Sequence, residues 1–254
     1  MERITSSHNP LVQHMRKLQT SRAYRESCGE FVADGWKLLE EALKWYPEVT
    51  AVLTSEPERC PALPSSARLV EVPASLMQSV SSMRTPQGVL SSLRLPQEGA
   101  LRVQPGMLLL DRIQDPGNLG TILRTADAFD LPVLLTNGCA DPFSEKTVRA
   151  SMGAAFHLNL VRLESFDEYR SLAGEREYYL FRLRNAKPLA DQGRTAGAPF
   201  TLVFGNEAAG LPKDLEDFGN GVIIPHSDKI DSLNLAVAAG IGLYAFSAGA
   251  RQGA

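Results

Sequence analysis

At Gly106–Asp130 the sequence reads "GMLLLDRIQDPGNLGTILRTADAFD". Its opening run is apolar at consecutive positions, which is typical of a strand buried on both faces of a parallel sheet. Asp115, Pro116 and Asn118 favour a helix start, and the two glycines of the turn let the backbone approach a neighbour closely. The turn lacks the Lys of a phosphate-binding P-loop and the G-x-G-x-x-G of a dinucleotide fold. By itself it predicts only a tight strand-to-helix turn.

Strand and helix patterns continue to alternate after this stretch. Strand patterns recur in "PVLLTNG", "EYYLFRL", "PFTLVFGNE" and "NGVIIPHS", and the last helix is "SLNLAVAAGIGLYAFSAGA". This alternation predicts an α/β fold in which a parallel sheet is covered on both sides. Shorter helix and strand patterns fill the first part of the chain. We therefore expect a small α/β domain over residues 1–95, a Pro- and Gly-containing linker over 96–105 and a larger domain over 106–254.

Composition excludes several protein classes. The 254 residues carry 26 Lys and Arg against 29 Asp and Glu, a net charge of −3, which argues against a histone-like or coat-like nucleic-acid binder. Three widely spaced cysteines predict neither a disulfide framework nor a zinc site, and they favour a reducing compartment. The longest apolar run, 235–246, is shorter than the roughly 20 residues that a bilayer requires, and the start lacks the apolar core of a signal peptide. These features predict a cytoplasmic protein without a metal or a membrane segment.

Two further turns directly follow predicted strands. The first is "LVFGNEAAGLP" at 202–212, and the second is "VIIPHSDKIDSLNLAVAAG" at 222–240. Each has a plain structural interpretation, in which Glu207 caps a short helix and Ser232 or Asn234 caps the last one. In open α/β sheets, however, ligands collect at the carboxyl ends of the strands.

Taken together, the three turns resemble the motifs of one family, the SpoU (TrmH-like) branch of the SPOUT RNA methyltransferases. The matching segments, in order, are "DPGNLGTILRTADAFD", "VFGNEAAGLP" and "IPHSDKIDSLNLAVAAGIGLY", and "KTVRASMGAAFHLNL" between the first two also fits. The resemblance covers residues 106–247. The first part, from "NPLVQHMRKLQTS" to "TPQGVL", is similar to the ribosomal-protein-like substrate-binding domain of many members. The resemblance implies a parallel sheet with a C-terminal trefoil knot and a homodimer.

The same resemblance implies a reaction and a site. The reaction is methyl transfer from S-adenosylmethionine to a ribose 2′-hydroxyl of RNA, and we expect ribosomal RNA ahead of transfer RNA. The implied catalytic residues are Asn118, Arg124, Glu207, Ser232 and Asn234. The implied cofactor-binding residues are Thr136, Asn137, Gly138, Leu202, Phe204, Gly205, Asn206, Glu207, Gly210, Ile224, Pro225, Ser232, Leu233 and Asn234.

Arg124 has a role that follows from its chemistry. The resemblance makes it the general base, but a guanidinium keeps its proton in proteins. We expect Arg124 instead to grip a backbone phosphate of the RNA by a bidentate contact, while that phosphate or solvent takes the proton. The alternative is an ion pair with Asp127 or Asp130.

A basic cluster in the first 28 residues is a second candidate for RNA binding. Arg16, Lys17, Arg22 and Arg25, here called the N-terminal basic patch, are opposed by few acidic residues. They predict a surface that grips phosphates, together with Arg124 and Arg149. The alternatives are a solvated helix face for the patch and a structural ion pair for Arg149.

Two other functions stay open from the sequence alone. One is a methyltransferase-like RNA-binding protein without activity, which would have lost a motif residue, and none is lost. The other is a nicotinamide-dependent enzyme, which the missing G-x-G-x-x-G disfavours.

Overall fold

The computed structural model describes residues 2–96, 101–193, 195, 197–216 and 218–251. They form two compact units, one made of residues 2–96 with Asp141–His157 and the other of residues 101–140 with the described residues from Leu158 onward. Residues 97–100 of the expected linker lie outside the described residues. No helix within the described part of the chain has the length and apolar character needed to cross a membrane.

The first unit is built on a mixed five-stranded sheet with the order β1-β4-β3-β5-β2. Its strands are β1 Glu2–Arg3, β2 Glu30–Asp34, β3 Val49–Thr54, β4 Arg68–Glu71 and β5 Val89–Arg94. Its first four helices are α1 Pro10–Thr20, α2 Arg22–Cys28, α3 Trp36–Trp45 and α4 Ala74–Val80. Successive β2 residues point to opposite faces, so Val32 joins the apolar cluster under α1 and α4 while Phe31 joins the cluster under α3.

The apolar cluster under α3 includes a segment that the expected boundaries assign to the larger domain. Helix α6, Glu145–Ser151, and the turn after it contribute Val148 and Phe156 to the core around Phe31. The Phe31 ring also lies 5.2 Å from the Phe143 ring between centroids. The division into 1–95 and 106–254 therefore differs from the structure over Asp141–His157, because the apolar side chains of this segment complete the first core.

The second unit contains a seven-stranded sheet, and all its strand pairs are parallel, in the order β10-β12-β9-β11-β6-β7-β8. The strands are β6 Gly106–Leu110, β7 Val133–Thr136, β8 Leu160–Leu163, β9 Glu177–Phe181, β10 Lys187–Pro188, β11 Phe200–Phe204 and β12 Asn220–Ile223. The helices are α5 Pro116–Ala128, α7 Phe166–Ala173, α8 Lys213–Glu216 and α9 Leu235–Arg251. The expected α/β fold with a parallel sheet is confirmed.

Helices cover both faces of this sheet. The α7 residue Tyr169 packs into the same cluster as Leu180 of β9. On the other face, the Phe246 ring of α9 lies 4.5 Å from that of Tyr179. Because the strands are parallel, the ends of β6, β11, β9 and β12 reach one edge of the sheet, and the segments that follow them form the candidate site.

Candidate active site

A cavity of about 780 Å³ opens at this edge of the second unit. Its lining comes from the segments that follow β9, β11 and β12 and from the start of α9. Phe181 and Phe204 stack within it, with their ring centroids 4.2 Å apart and their planes 18° apart. Nine of the predicted cofactor-binding residues line it: Phe204, Gly205, Asn206, Glu207, Gly210, Ile224, Ser232, Leu233 and Asn234.

A chain of side-chain hydrogen bonds joins the three sequence motifs at the cavity. Asn234 Nδ2 donates to Asn118 Oδ1 at 2.9 Å, and Asn118 Nδ2 donates to Glu207 Oε1 at 3.2 Å. The Glu207 carboxylate lies 3.4 Å from the backbone nitrogens of both Gln114 and Asp115, so it holds the turn before α5. Residues 118, 207 and 234, which are distant in sequence, therefore form one polar cluster.

Local capping places the first and third members of this chain. Asp115 caps α5, since its side chain accepts from the Asn118 backbone nitrogen at 2.7 Å. Asn234 caps α9, because its Oδ1 accepts from the backbone nitrogens of Ala236 and Val237 at 2.9 and 3.2 Å. Asn234 thus performs a capping role and a site role with different atoms of one amide.

The second motif folds into a tight loop over residues 205–210. Asn206 Oδ1 accepts from the backbone nitrogens of Ala208 and Ala209, and Asn206 O accepts from that of Gly210. A Cβ on Gly205 would lie 2.6 Å from the Gly210 carbonyl, so only glycine lets the loop close in this way. Glu207 projects from this loop to Asn118 and does not cap a following helix.

Arg124 lies on α5 and is exposed. No hydrogen bond or ion pair joins it to another described residue, so the alternative of a pair with Asp127 or Asp130 is absent from this structure. Arg124 does not line the cavity. Its guanidinium is therefore available to a ligand from solution. Ser232, also exposed, lies at the cavity itself.

Five predicted cofactor residues are not brought to the cavity. Leu202 is fully buried within β11, and Pro225 is not part of the lining. Thr136 ends β7, and Asn137 and Gly138 follow it. Strand β7 is separated by β6 from the strands that form the cavity. The Thr136 hydroxyl donates to Asp111 Oδ1 at 2.7 Å, and Asn137 Nδ2 donates to Glu164 at 2.9 Å.

The structure adds lining residues that are absent from the predicted cofactor-binding set. Arg182, Leu183 and Arg184 follow β9, and His226 follows β12. His226 Nδ1 lies 2.8 Å from the Ile224 carbonyl oxygen, so this nitrogen carries the proton. The sequence carries a signal for the residues after β9, because "EYYLFRL" is a predicted strand. The carboxyl end of a parallel strand is expected at the same edge of the sheet as the ends of the other strands.

The predicted RNA-binding residues of the first unit have different surroundings. Lys17 and Arg22 are exposed, and Arg16 is half-buried with a hydrogen bond to Ser79. Arg25 is only 4% exposed and binds Asp141 Oδ2 through two nitrogens at 2.7 and 3.0 Å. Arg149 forms an ion pair with Glu145, as its structural alternative expected. Arg25 is thus withdrawn from the surface that the N-terminal basic patch was expected to form.

Two observations limit the chemistry near the site. Burial raises the pKa of the Cys139 thiol, which also lies 3.4 Å from the Leu110 carbonyl oxygen, so the thiol stays protonated and is a poor nucleophile. Among the residues that the structure describes, no group of three or more His, Cys, Asp or Glu side chains could hold a metal ion.

Two family models match the chain. Residues 105–244 match the SpoU rRNA methylase family, and residues 9–91 match an MRM3-like substrate-binding domain. The first match contains the cavity and the whole Glu207–Asn118–Asn234 cluster.

Individual proteins match along nearly the whole length. The 23S rRNA (guanosine(2553)-2'-O)-methyltransferase RlmP of Bacillus subtilis is 34% identical, over 96% of this chain and 98% of its own. The AdoMet-bound rRNA methyltransferase of Sinorhizobium meliloti is 31% identical, with a TM-score of 0.83 over 99% of this chain and 98% of its own. The SpoU methyltransferase AviRb of Streptomyces viridochromogenes, solved with AdoMet, is 25% identical, with a TM-score of 0.80 over 96% and 98%. Both the motif cluster and these matches lead to one assignment: the chain belongs to the SpoU rRNA methylase family.

Proposed function

We propose that this chain transfers a methyl group from S-adenosylmethionine to a ribose 2′-hydroxyl of ribosomal RNA. The observation that carries the proposal is the hydrogen-bonded cluster of Glu207, Asn118 and Asn234 at the rim of the cavity. It unites one residue from each of the three motifs on different strand ends. The exposed Arg124 on the same helix as Asn118 adds a cation without a protein partner among the described residues.

The cavity has the size and chemistry for the methyl donor. Small-molecule sites are concave, mainly apolar and about 300–1,000 Å³ in volume, and this cavity is about 780 Å³. Leu211, Ile224 and Leu233 supply apolar surface, while the loop 205–210 presents backbone. These residues would hold S-adenosylmethionine, which when bound supplies an electrophilic methyl group on a sulfonium sulfur.

The protein contributes position and charge. Arg124 would bind a backbone phosphate next to the target ribose, and the proton of the 2′-hydroxyl would pass to that phosphate or to solvent. Asn118, held between Glu207 and Asn234, would orient the ribose, and Ser232 would close the third loop over the donor. Holding both reactants in line supplies on the order of 7–11 kcal/mol in favourable cases.

Ribosomal RNA is the preferred substrate because the likeness extends across both units. The relative from Bacillus subtilis, named for a 23S rRNA ribose methylation, aligns over 96% of this chain, and residues 9–91 match a substrate-binding domain. Transfer RNA is the second substrate class. A silent RNA-binding protein is disfavoured, since every motif residue is retained and the cluster is intact. An rRNA substrate also favours a cytoplasmic place of action.

The test is to map 2′-O-methylation across cellular RNA with and without a functional copy of this chain. We expect one ribosomal RNA position to lose its resistance to alkaline cleavage when the chain is absent and to regain it when wild type is restored. Restoring the Asn118→Ala variant is the matched control and should leave the position unmethylated. A lost methyl group in a transfer RNA would redirect the substrate, and no lost methyl group anywhere would refute the activity.

We further propose that the C-terminal segment is threaded into a trefoil knot. Strand β12 lies in the sheet between β9 and β10, which precede it in the chain and are joined by residues 182–186. That connection packs closely against β12, because a Cβ on Gly221 would lie only 2.4 Å from the Asn185 carbonyl oxygen. If threading occurs, fusing a large folded domain to the C-terminus should slow refolding, and fusing it to the N-terminus should not.

We also propose a homodimer that forms through α9. Val237, Ile241 and Tyr244 lie on one stripe of this helix and are 52%, 38% and 66% exposed, respectively. Contiguous exposed apolar surface of this kind marks an interaction site, and a second copy of the chain would present the same stripe.

A further inference from the structure

Arg112, which no sequence motif singled out, has an unusual backbone conformation beside the cavity. It directly follows β6 and Asp111, with a φ of 53°. Non-glycine residues occupy this left-handed region rarely, and glycine or asparagine would occupy it at lower cost. An arginine at this position therefore indicates that its side chain is used.

The Arg112 side chain spans two loops. Its Nε donates to Asp111 Oδ2 at 2.8 Å, and its Nη2 lies 3.4 Å from the Gly210 carbonyl oxygen of the second-motif loop. Asp111 is itself 6% exposed, and its other oxygen accepts from the Thr136 hydroxyl at 2.7 Å. The guanidinium thus has two protein partners, although the side chain remains 39% exposed.

The Arg112 backbone joins the same loops. Its nitrogen donates to Thr136 Oγ1 at 3.2 Å, and its carbonyl oxygen accepts from Asn206 Nδ2 at 2.9 Å. Gly138, with a φ of 92°, leaves room for the side chain, because a Cβ there would lie 3.1 Å from Arg112 Cγ. The left-handed turn thus directs the carbonyl to Asn206 while the side chain passes Gly138.

We propose that Arg112 is a positioning residue that holds the 205–210 loop in the shape that binds S-adenosylmethionine. This inference rests on the proposed function. Arg112 links the end of β7 to the loop after β11, so Thr136 and Gly138 act on the cavity through Arg112 without lining it. Asn206 connects Arg112 to the loop. Its Nδ2 donates to the Arg112 carbonyl oxygen, and its Oδ1 accepts from the backbone nitrogens of Ala208 and Ala209.

Calorimetric binding of S-adenosylmethionine and S-adenosylhomocysteine, with thermal melting, tests the inference. Arg112→Gly and Arg112→Asn both suit the left-handed turn and remove the guanidinium. We expect both to melt near the wild-type temperature, because relief of the left-handed backbone strain offsets the ion pair lost from the buried Asp111. Both should bind the two ligands about tenfold more weakly, the effect of one charge-assisted hydrogen bond. Arg112→Lys should restore part of the affinity, because it keeps a cationic donor between Asp111 and the Gly210 carbonyl oxygen.

Asp130→Gly is the matched control. Asp130 also has a left-handed φ, 56°, but lies after α5 and does not line the cavity. It should relieve the same kind of backbone strain and bind both ligands as wild type does. Affinity within about twofold of wild type in Arg112→Gly would overturn the inference, as would weak binding that only tracks lost stability. Failure of wild type to bind either ligand would instead refute the proposed function.

Discussion

The side chains of Asn118 and Asn234 are hydrogen-bonded at 2.9 Å although 116 positions separate them in the sequence. Asn118 is donor to Glu207 and acceptor from Asn234, so its amide is fixed in one orientation. The start of α5 and the start of α9 are thereby held in register with the loop after β11. An isosteric substitution of Glu207 or Asn234, the two ends of this hydrogen-bond series, should disturb the site more than the fold.

Asn234→Asp tests whether the hydrogen bond to Asn118 serves the reaction and not the fold. The carboxylate can still cap α9, but it cannot donate to Asn118, which then has acidic groups on both sides and one NH₂ to share. We expect methyl transfer to fall by about tenfold or more, the effect of one lost hydrogen bond within a site, while the melting temperature changes little. Asn234→Ala, which also loses the cap, should lower both. Equal rates in Asn234→Asp and wild type would show that the contact has no part in the reaction.

Arg124→Ala should separate catalysis from donor binding. The side chain is exposed, lies outside the cavity and has no partner among the residues described. We expect methylation to fall by about 10²–10³-fold, as for the loss of one group that stabilises transition-state charge, with S-adenosylmethionine affinity unchanged. Arg124→Lys should recover a fraction, because Lys binds phosphate as a point charge. Full turnover of Arg124→Ala would remove this residue from the mechanism.

The remaining exposed or half-exposed members of the N-terminal basic patch should determine salt dependence. Replacing Arg16, Lys17 and Arg22 together with Ala should reduce the slope of log affinity for RNA against log salt by about 2–3. The control removes three exposed arginines of the same unit, Arg59, Arg84 and Arg94, and should leave the slope nearer wild type. If both triple variants flatten the slope equally, the patch is an ordinary solvated surface.

Asp34 should make the first unit more stable at low pH. Its carboxyl is 3% exposed and Oδ1 has no partner within the described residues, so burial raises its pKa, with Glu145 nearby adding to the effect. The folded state therefore favours the protonated form. This contribution is full below the unfolded-state pKa, about 3.9, and is lost as pH rises through the folded-state pKa.

Asp34→Asn removes that ionisation and keeps an oxygen for the Ser81 hydroxyl, which donates at 2.5 Å. Its stability relative to wild type, from urea unfolding, should therefore rise as pH increases from about 4 to about 8. Asp167→Asn, at a side chain 91% exposed, is the control and should show little change with pH. A difference that is constant across this range would show that Asp34 does not titrate as its burial implies.

Tyr244→Asp or Ile241→Asp should convert a dimer into a monomer. Each places a charge in the apolar stripe of α9, where a partner copy would have to desolvate it. Sedimentation or light scattering would measure the mass, with Leu172→Asp on α7, another exposed apolar position, as the control. A monomeric wild type, or dissociation by the control alone, would place the interface elsewhere or remove it.

The sequence predicted the elements that carry continuous signals. The apolar run of β6, the helix-starting residues after it and the last helix could be identified because hydrophobic periodicity and capping act locally. Asn118, Glu207 and Asn234 were predicted together from the family resemblance of their three motifs. The position of each motif after a strand agrees with that prediction, because parallel strands end at one edge.

Strand order and long-range pairs were beyond that reasoning. Thr136–Gly138 lies at the carboxyl end of a strand, as the motifs do. Strand β7 pairs with β6 and not with β9 or β12, so its loop lies away from the cavity. Arg25 resembles its basic neighbours, yet its partner Asp141 comes 116 residues later. Neither strand order nor a pair so distant leaves a local signal in one sequence.

The core around Phe31 contains Phe143, Val148 and Phe156, which come from a segment much later in the sequence. This has a consequence for synthesis of the chain. A fragment cut after residue 96 would lack these side chains, expose the apolar face that they cover and be prone to aggregate. During translation the N-terminal unit cannot finish packing until residue 157 has left the ribosomal tunnel. By then β6, α5 and β7 of the other unit have already been synthesised, so the two units have to fold during the same period.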